Sequence, residues 1–167
     1  DASGAVTSAG TFFGSVDFGG GTLTSGGMFT PDFYAAHWDA SGAHQWSFHV
    51  AHQNGFGGVN VTAIAADASG NVYVGGSIFD GDVDLGGGAL FGPNLFIAKY
   101  DAMGAHQWSA TFGNGNVNAL AVSAAGLAVT GSTSASVDFG GGALASAGAR
   151  DAFVAVLDAN GGHVWSA

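Results

Sequence analysis

The chain has 167 residues, of which 47% are hydrophobic and 8% charged, so it has ample apolar material for a folded core. The chain has two basic and twelve acidic residues, which give a net charge of -10. Because this charge would repel polyanions, we expect no nucleic-acid partner. The lack of cysteine excludes disulfides and thiolate chemistry, and no apolar run reaches the about 18 residues of a spanning helix, so we expect no membrane insertion.

Turn tetrads of the form Asp-x-x-Gly recur from the first residue onward and predict tight hairpins. Asp in the first position hydrogen-bonds its own backbone, and Gly in the fourth accepts positive φ, which favours a type I turn with a bulge. Six such hairpins predict about twelve strands. The tetrads begin at Asp1, Asp39, Asp67, Asp101 and Asp158, and Ser123 begins a variant with Ser for Asp.

A second motif, an Asp and an apolar residue followed by three glycines, occurs at 17–21, 84–88 and 138–142. Self-similarity over such distances indicates stacked copies, because a single unit cannot bury its own apolar face. A tryptophan, Trp46, follows the turn aspartate Asp39 by seven residues, and the equivalent tryptophans of the other two copies keep that spacing. We therefore place three repeats at about 1–55, 56–115 and 116–167 in one domain, with the length differences in loops.

The middle copy predicts four strands, at 63–66, 71–77, 95–100 and 106–112, from its period-two alternation. One face of the third strand has an alanine between bulky residues in every copy, such as Ala98 between Phe96 and Tyr100. A small residue there favours close packing of one sheet on another. The predicted fold is all-β, with three four-stranded antiparallel repeats as β-propeller blades.

Residues 67–77, Asp-Ala-Ser-Gly-Asn-Val-Tyr-Val-Gly-Gly-Ser, resemble the bacterial beta-propeller repeat, also called the SBBP repeat. The resemblance implies a propeller that is extracellular, on the cell surface or in the periplasm, and it implies no uniform enzymatic activity. Propellers usually have 4 to 8 blades, and both chain ends fall within a repeat, so we expect further blades in a longer chain or by association. A closed three-fold fold, a β-trefoil or a β-prism, is the alternative.

The repeated tryptophans Trp46, Trp108 and Trp165 are interpreted as rivets between neighbouring units, with sugar stacking as the alternative. A histidine precedes each of them by two residues, which on a regular strand places both on one face. We interpret these histidines as solvated strand residues. The alternative is a metal site where the histidines surround a propeller axis.

Two local features are candidate binding sites. Asp80, Asp82 and Asp84 are spaced like the start of a calcium loop, although no Glu nearby could close it. The insertion at 48–58 contributes polar and stacking groups on a loop, where recognition tends to evolve, and its candidate residues are His49, His52, Asn54 and Phe56.

No spacing indicates a catalytic triad, and the chain has no cysteine nucleophile. We therefore expect a non-catalytic scaffold or protein-interaction module without a cofactor, whose partner is another protein or further blades. The alternative function is a glycan-binding lectin that uses the tryptophans or the 48–58 loop. A metal-dependent enzyme is the third hypothesis.

Overall fold

The computed structural model describes residues 4–26, 30–51 and 58–167, and its regular elements are sixteen β-strands. The first sheet has the order β1-β4-β5 and is antiparallel throughout. A short hairpin of two strands, β2 and β3, stands between β1 and β4. The bounds are β1 Val6–Phe12, β2 Ser15–Asp17, β3 Thr22–Thr24, β4 Asp32–Trp38 and β5 His44–Val50.

The second sheet has four antiparallel strands in the order β11-β10-β7-β6. The third has five, four of them in the order β12-β13-β15-β16 and the short β14 paired with β13. A short hairpin, β8 with β9, interrupts the second sheet's sequence as β2 with β3 does in the first. The bounds are β6 Val59–Ala66, β7 Val72–Ile78, β8 Asp82–Asp84, β9 Ala89–Phe91, β10 Asn94–Tyr100, β11 His106–Thr111, β12 Gly113–Ser123, β13 Gly126–Val137, β14 Leu144–Ala145, β15 Asp151–Leu157 and β16 His163–Ser166.

The all-β prediction is confirmed, and the strand count needs correction. The second and third sheets have the four long strands expected of a repeat, whereas the first has three in the described residues, with β1 in the place that β7 and β13 take in the other sheets. The total is sixteen because the connections around the glycine motif form short strands of their own. Two or three residues per strand are too few to show an alternating pattern in the sequence.

The predicted turn chemistry is confirmed between β4 and β5. The Gly42 amide donates to the Asp39 carbonyl over 2.9 Å, and the Asp39 amide donates to the Ala43 carbonyl over 3.0 Å. Gly42 has φ of +81°, a left-handed conformation that favours glycine. The same pair of bonds closes the turns at Asp67, Asp101 and Asp158, so each of these four turns joins two antiparallel strands of one sheet.

The middle sheet is buried on both faces. The first core joins it to the first sheet and contains Phe33, Phe96 and Ala98, whereas the second core joins it to the third sheet and contains Leu95 and Ile97. Neighbours along β10 thus enter different cores, as the alternation of a strand requires. The sheets therefore form a stack of three, with an apolar layer in each gap.

Candidate functional site

Tryptophan side chains connect each sheet to the next. The Trp46 indole N–H on β5 donates to the carbonyl of Ala102, in the turn of the second sheet, over 2.9 Å. The Trp108 indole on β11 makes the same bond to Ala159, in the turn of the third sheet, over 3.1 Å. Both rings also lie on the last glycine of that turn: a Cβ at Gly104 would come within 2.9 Å of Trp46 Cδ2. The prediction that these residues rivet neighbouring units is confirmed for Trp46 and Trp108.

The two ends of the stack carry the unpaired halves of this contact. Trp165, the equivalent tryptophan of the third sheet, is 48% exposed. Gly42, the equivalent turn glycine of the first sheet, has open space around its Cβ position among the described residues, whereas Gly104 and Gly161 are covered by rings. Within the described ranges, one end therefore presents an indole without a turn beneath it, and the other presents a turn without an indole above it.

The glycine motif forms a loop that is anchored on its own sheet. The Asp84 carboxylate accepts the amides of Gly86 and Gly88 over 2.8 and 2.9 Å, and the carbonyl of Leu85 accepts the Tyr100 hydroxyl over 2.9 Å. Burial, with the Asp84 charge as a smaller cause, raises the pKa of Tyr100, so the hydroxyl stays a donor. In the first copy, the Asp17 carboxylate likewise accepts the amides of Gly19 and Gly21.

A histidine ring packs on each glycine loop, which corrects the prediction of solvated strand histidines. A Cβ at Gly87 would come within 2.5 Å of His106 Cε1, and His106 Nε2 hydrogen-bonds Ser109 over 3.0 Å. His44 and His163 repeat this contact with the glycine loop and serine of their own sheets. Only glycine at the centre of the loop leaves room for the imidazole.

A β-bulge overturns the expectation that these histidines share a face with the tryptophans. His106 pairs with Tyr100 and Trp108 pairs with Lys99, so the register shifts between two consecutive residues of β10. Consecutive strand residues face opposite sides of a sheet. His106 therefore turns toward its glycine loop, while Trp108 turns toward the next sheet, and the same shift occurs at His44 and His163.

Hydrogen bonds to two turn carboxylates predict that stability depends on pH. The Gly86 amide, then the Gly88 amide, lowers the pKa of Asp84 below 3.8, and the Gly162 amide, then the Asn160 amide, lowers that of Asp158. Because the pKa is lower in the folded state, this stabilisation is present above the unfolded pKa and is lost as pH falls through the folded value. We expect urea midpoints to fall between about pH 5 and about pH 3.

The double variant Asp84→Asn, Asp158→Asn tests the origin of that pH dependence by urea denaturation at a series of pH values. Its midpoint should fall less steeply with acid than that of the wild type, because the amide oxygens still accept hydrogen bonds but take up no proton in this range. A variant with the wild-type slope would show that these turn carboxylates do not carry the effect.

The predicted calcium triad lies along the β7–β8 connection and β8. The Asp80 carboxylate accepts the Gly81 amide over 2.8 Å, and that of Asp84 holds the glycine loop. Among the described residues, no three His, Cys, Asp or Glu side chains are grouped as metal ligands would be. Calcium binding at Asp80, Asp82 and Asp84 stays a prediction.

Of the four candidate residues at 48–58, the structure describes His49, and it corrects the prediction of a loop position because His49 lies on strand β5. Its Nδ1 lies 3.0 Å from Oδ2 of Asp32, which is 1% exposed and also accepts the Gly26 amide over 3.0 Å. His49 is thus engaged by a buried carboxylate of the neighbouring strand β4. The other three candidates, His52, Asn54 and Phe56, lie outside the described residues.

Comparison of the chain with protein-family models and with curated proteins gives no match. The resemblance to the beta-propeller repeat therefore stays a prediction from residues 67–77. No helix long and apolar enough to cross a bilayer is found in the part of the chain that the structure describes.

Proposed function

We propose that this chain is a non-catalytic β-propeller scaffold, secreted or on the cell surface, that binds other proteins through the ends of its sheet stack. Its three sheets are blades. The observation that carries the proposal is the repeated contact of a tryptophan with the next turn, which is made twice inside the chain and has one unpaired half at each end.

The two separate cores support blades over a closed three-fold fold. In a trefoil or prism, the three units would share one interior around a common axis. Here Leu95 and Ile97 enter one core while Phe96 and Ala98 enter the other, so the middle sheet has a neighbour on each side. Blades in series have this relation. The extracellular assignment rests on the resemblance of residues 67–77 to the propeller repeat.

The complementary ends favour a partner that supplies a sheet of the same design. A second copy does so: its Asp39–Gly42 turn offers the surface that Trp165 lacks. Such a contact is heterologous, with different patches on the two partners, and it closes into a ring or continues as a chain. A large aromatic side chain at the centre of an interface commonly contributes much of the binding free energy.

Sedimentation velocity over a range of concentrations tests this proposal. We expect reversible association that weakens at least about fivefold in Trp165→Ala, since truncation of an aromatic anchor commonly costs more than 1 kcal/mol. Phe91→Ala is the control, because Phe91 is 63% exposed but lies on the short hairpin β8–β9. A wild-type chain that stays monomeric at millimolar concentration would contradict the proposal.

An enzymatic assay tests its non-catalytic part. Generic hydrolase and oxidoreductase substrates should show no turnover. Turnover that disappears in a single His or Asp variant, while the fold survives, would contradict the proposal and favour the metal-dependent enzyme.

A further inference from the structure

A polar pocket lies at the gap between the second and third sheets. Its volume is about 350 Å³, within the range of roughly 300–1,000 Å³ that is usual for small-molecule sites. Four asparagines line it, together with one arginine and one aromatic ring: Asn60, Asn94, Asn114, Asn116, Arg150 and Phe79. These residues come from both sheets, so the pocket depends on the stacking.

The asparagines include a buried acceptor that the fold leaves unused. Asn116 Nδ2 donates to Asn118 over 2.9 Å, but its Oδ1 is shielded from solvent and has no hydrogen-bond partner among the described residues. A buried polar atom without a partner costs free energy. Because water does not reach this oxygen in the structure, a ligand hydroxyl could donate to it and remove the cost only after the Asn116 side chain rotates into the pocket.

Arg150 gives the pocket a positive charge, which is rare in this acidic chain. It is one of only two basic residues in the chain, and no acidic residue lines the pocket with it. The structure records no ion pair or hydrogen bond of its guanidinium with any described residue. A planar guanidinium matches a carboxylate in a bidentate pair. Because the Arg150 guanidinium pairs with no described residue, it favours a ligand that carries a carboxylate.

Phe79 adds an apolar surface beside these polar groups. Its side chain is 60% exposed although it lines the pocket, and an aromatic ring at a pocket edge can cover an apolar face of a ligand. The asparagine amides can hydrogen-bond ligand hydroxyls, the Phe79 ring can cover a C–H face, and the Arg150 guanidinium can pair with a carboxylate. A single ligand with all three features fits the pocket. We propose that this pocket binds a carbohydrate unit that carries a carboxylate.

Calorimetric titration of the whole chain with three probes tests the proposal. Glucuronic acid has both the hydroxyls and the carboxylate, glucose has the hydroxyls alone, and acetate has the carboxylate alone. We expect saturable binding of glucuronic acid and binding of glucose at least about tenfold weaker, because a charge-assisted pair contributes more than a neutral hydrogen bond. We expect no measurable binding of acetate, because it lacks the hydroxyls and the sugar ring. Acetate binding as tightly as glucuronic acid, or no binding of any probe, would overturn the proposal.

Matched variants locate the site. Arg150→Gln should reduce the affinity for glucuronic acid to that for glucose, and Arg150→Lys should weaken it in part because the fork is lost. Lys99→Gln, which removes the other basic side chain, should leave it unchanged, since Lys99 lies outside the pocket, where it bonds Ala159. Glucuronic acid affinity that survives Arg150→Gln would overturn the proposal.

The uncharged side of the pocket has its own pair of variants. Phe79→Ala should weaken the binding of glucose and of glucuronic acid alike, by about tenfold. Phe13→Ala is the control, because Phe13 follows β1 as Phe79 follows β7 and is 59% exposed. Asn116→Ala should also weaken both sugars, and equal melting temperatures would show that the fold is intact. Full affinity in both pocket variants would contradict this site, whatever the sedimentation experiment shows about the stack ends.

Discussion

Replacing Gly76 with alanine should lower the free energy of unfolding by about 3 kcal/mol, since overpacking against atoms that cannot move lies at the upper end of such effects. The new Cβ would come within 1.8 Å of the Asn60 carbonyl oxygen, a backbone atom of the neighbouring strand β6, and within 3.1 Å of the Phe96 ring. Neither β6 nor β10 can move away from this Cβ without opening a core. Thermal unfolding should show a melting temperature lower by roughly 6–12 °C.

Gly10 provides the matched control, because it has the same place in β1 that Gly76 has in β7. In the first sheet no described strand lies where β6 lies in the second, and the three atoms nearest to a Cβ at Gly10 all belong to the Tyr34 side chain, at 3.1 to 3.4 Å. Gly10→Ala should therefore cost less than about 1 kcal/mol, since a side chain can yield where a backbone cannot. Equal effects of the two substitutions would contradict the assignment of β6 as the cause.

Removing an indole that connects two sheets should be nearly as damaging. Trp46→Ala and Trp108→Ala should each lower the free energy of unfolding by about 3 kcal/mol, as large aromatic truncations do. Trp46 also stacks on His37 and Phe48, with ring centroids 5.4 and 5.8 Å apart. Urea denaturation of each variant gives the measurement.

Trp165→Ala is the internal control of that experiment, because this indole is half-exposed and covers no turn glycine in the part of the chain that the structure describes. Its effect on dilute, monomeric protein should stay below about 1 kcal/mol, since little packing is lost. If Trp165→Ala were as destabilising as Trp46→Ala, the inter-sheet contact would not be the reason that tryptophan recurs. If neither mattered, the rivet interpretation would be wrong.

Local chemistry explains why the hairpins could be predicted from the sequence. The turn at Asp39 forms because its own carboxylate and Gly42 complete it within four residues, so distant parts of the chain are not needed. The packing at Ala98 could also be predicted from the sequence, because a small residue recurs between bulky ones in every copy. Ala98 is fully buried between two sheets, as that pattern indicated.

The features that sequence reasoning missed depend on irregular backbone or on distant residues. A bulge between His106 and Trp108 reverses one face assignment, and strict alternation cannot show where an extra residue enters. The pocket was also missed, because Asn60 and Arg150 meet only after the sheets stack. The sequence also could not show which turn each indole contacts, because the two partners, such as Trp46 and Ala102, belong to different repeats.

Hydrogen exchange followed by mass spectrometry tests most directly the claim that like sheets stack with one of them in the middle. Amides that open only with the global unfolding exchange slowest, and these belong to the most enclosed strands. We predict the slowest exchange in β7 and β10, which have a core on each face, and faster exchange in β1 and β16 at the edges of the outer sheets. Exchange in β10 as fast as in β16 would contradict the stack.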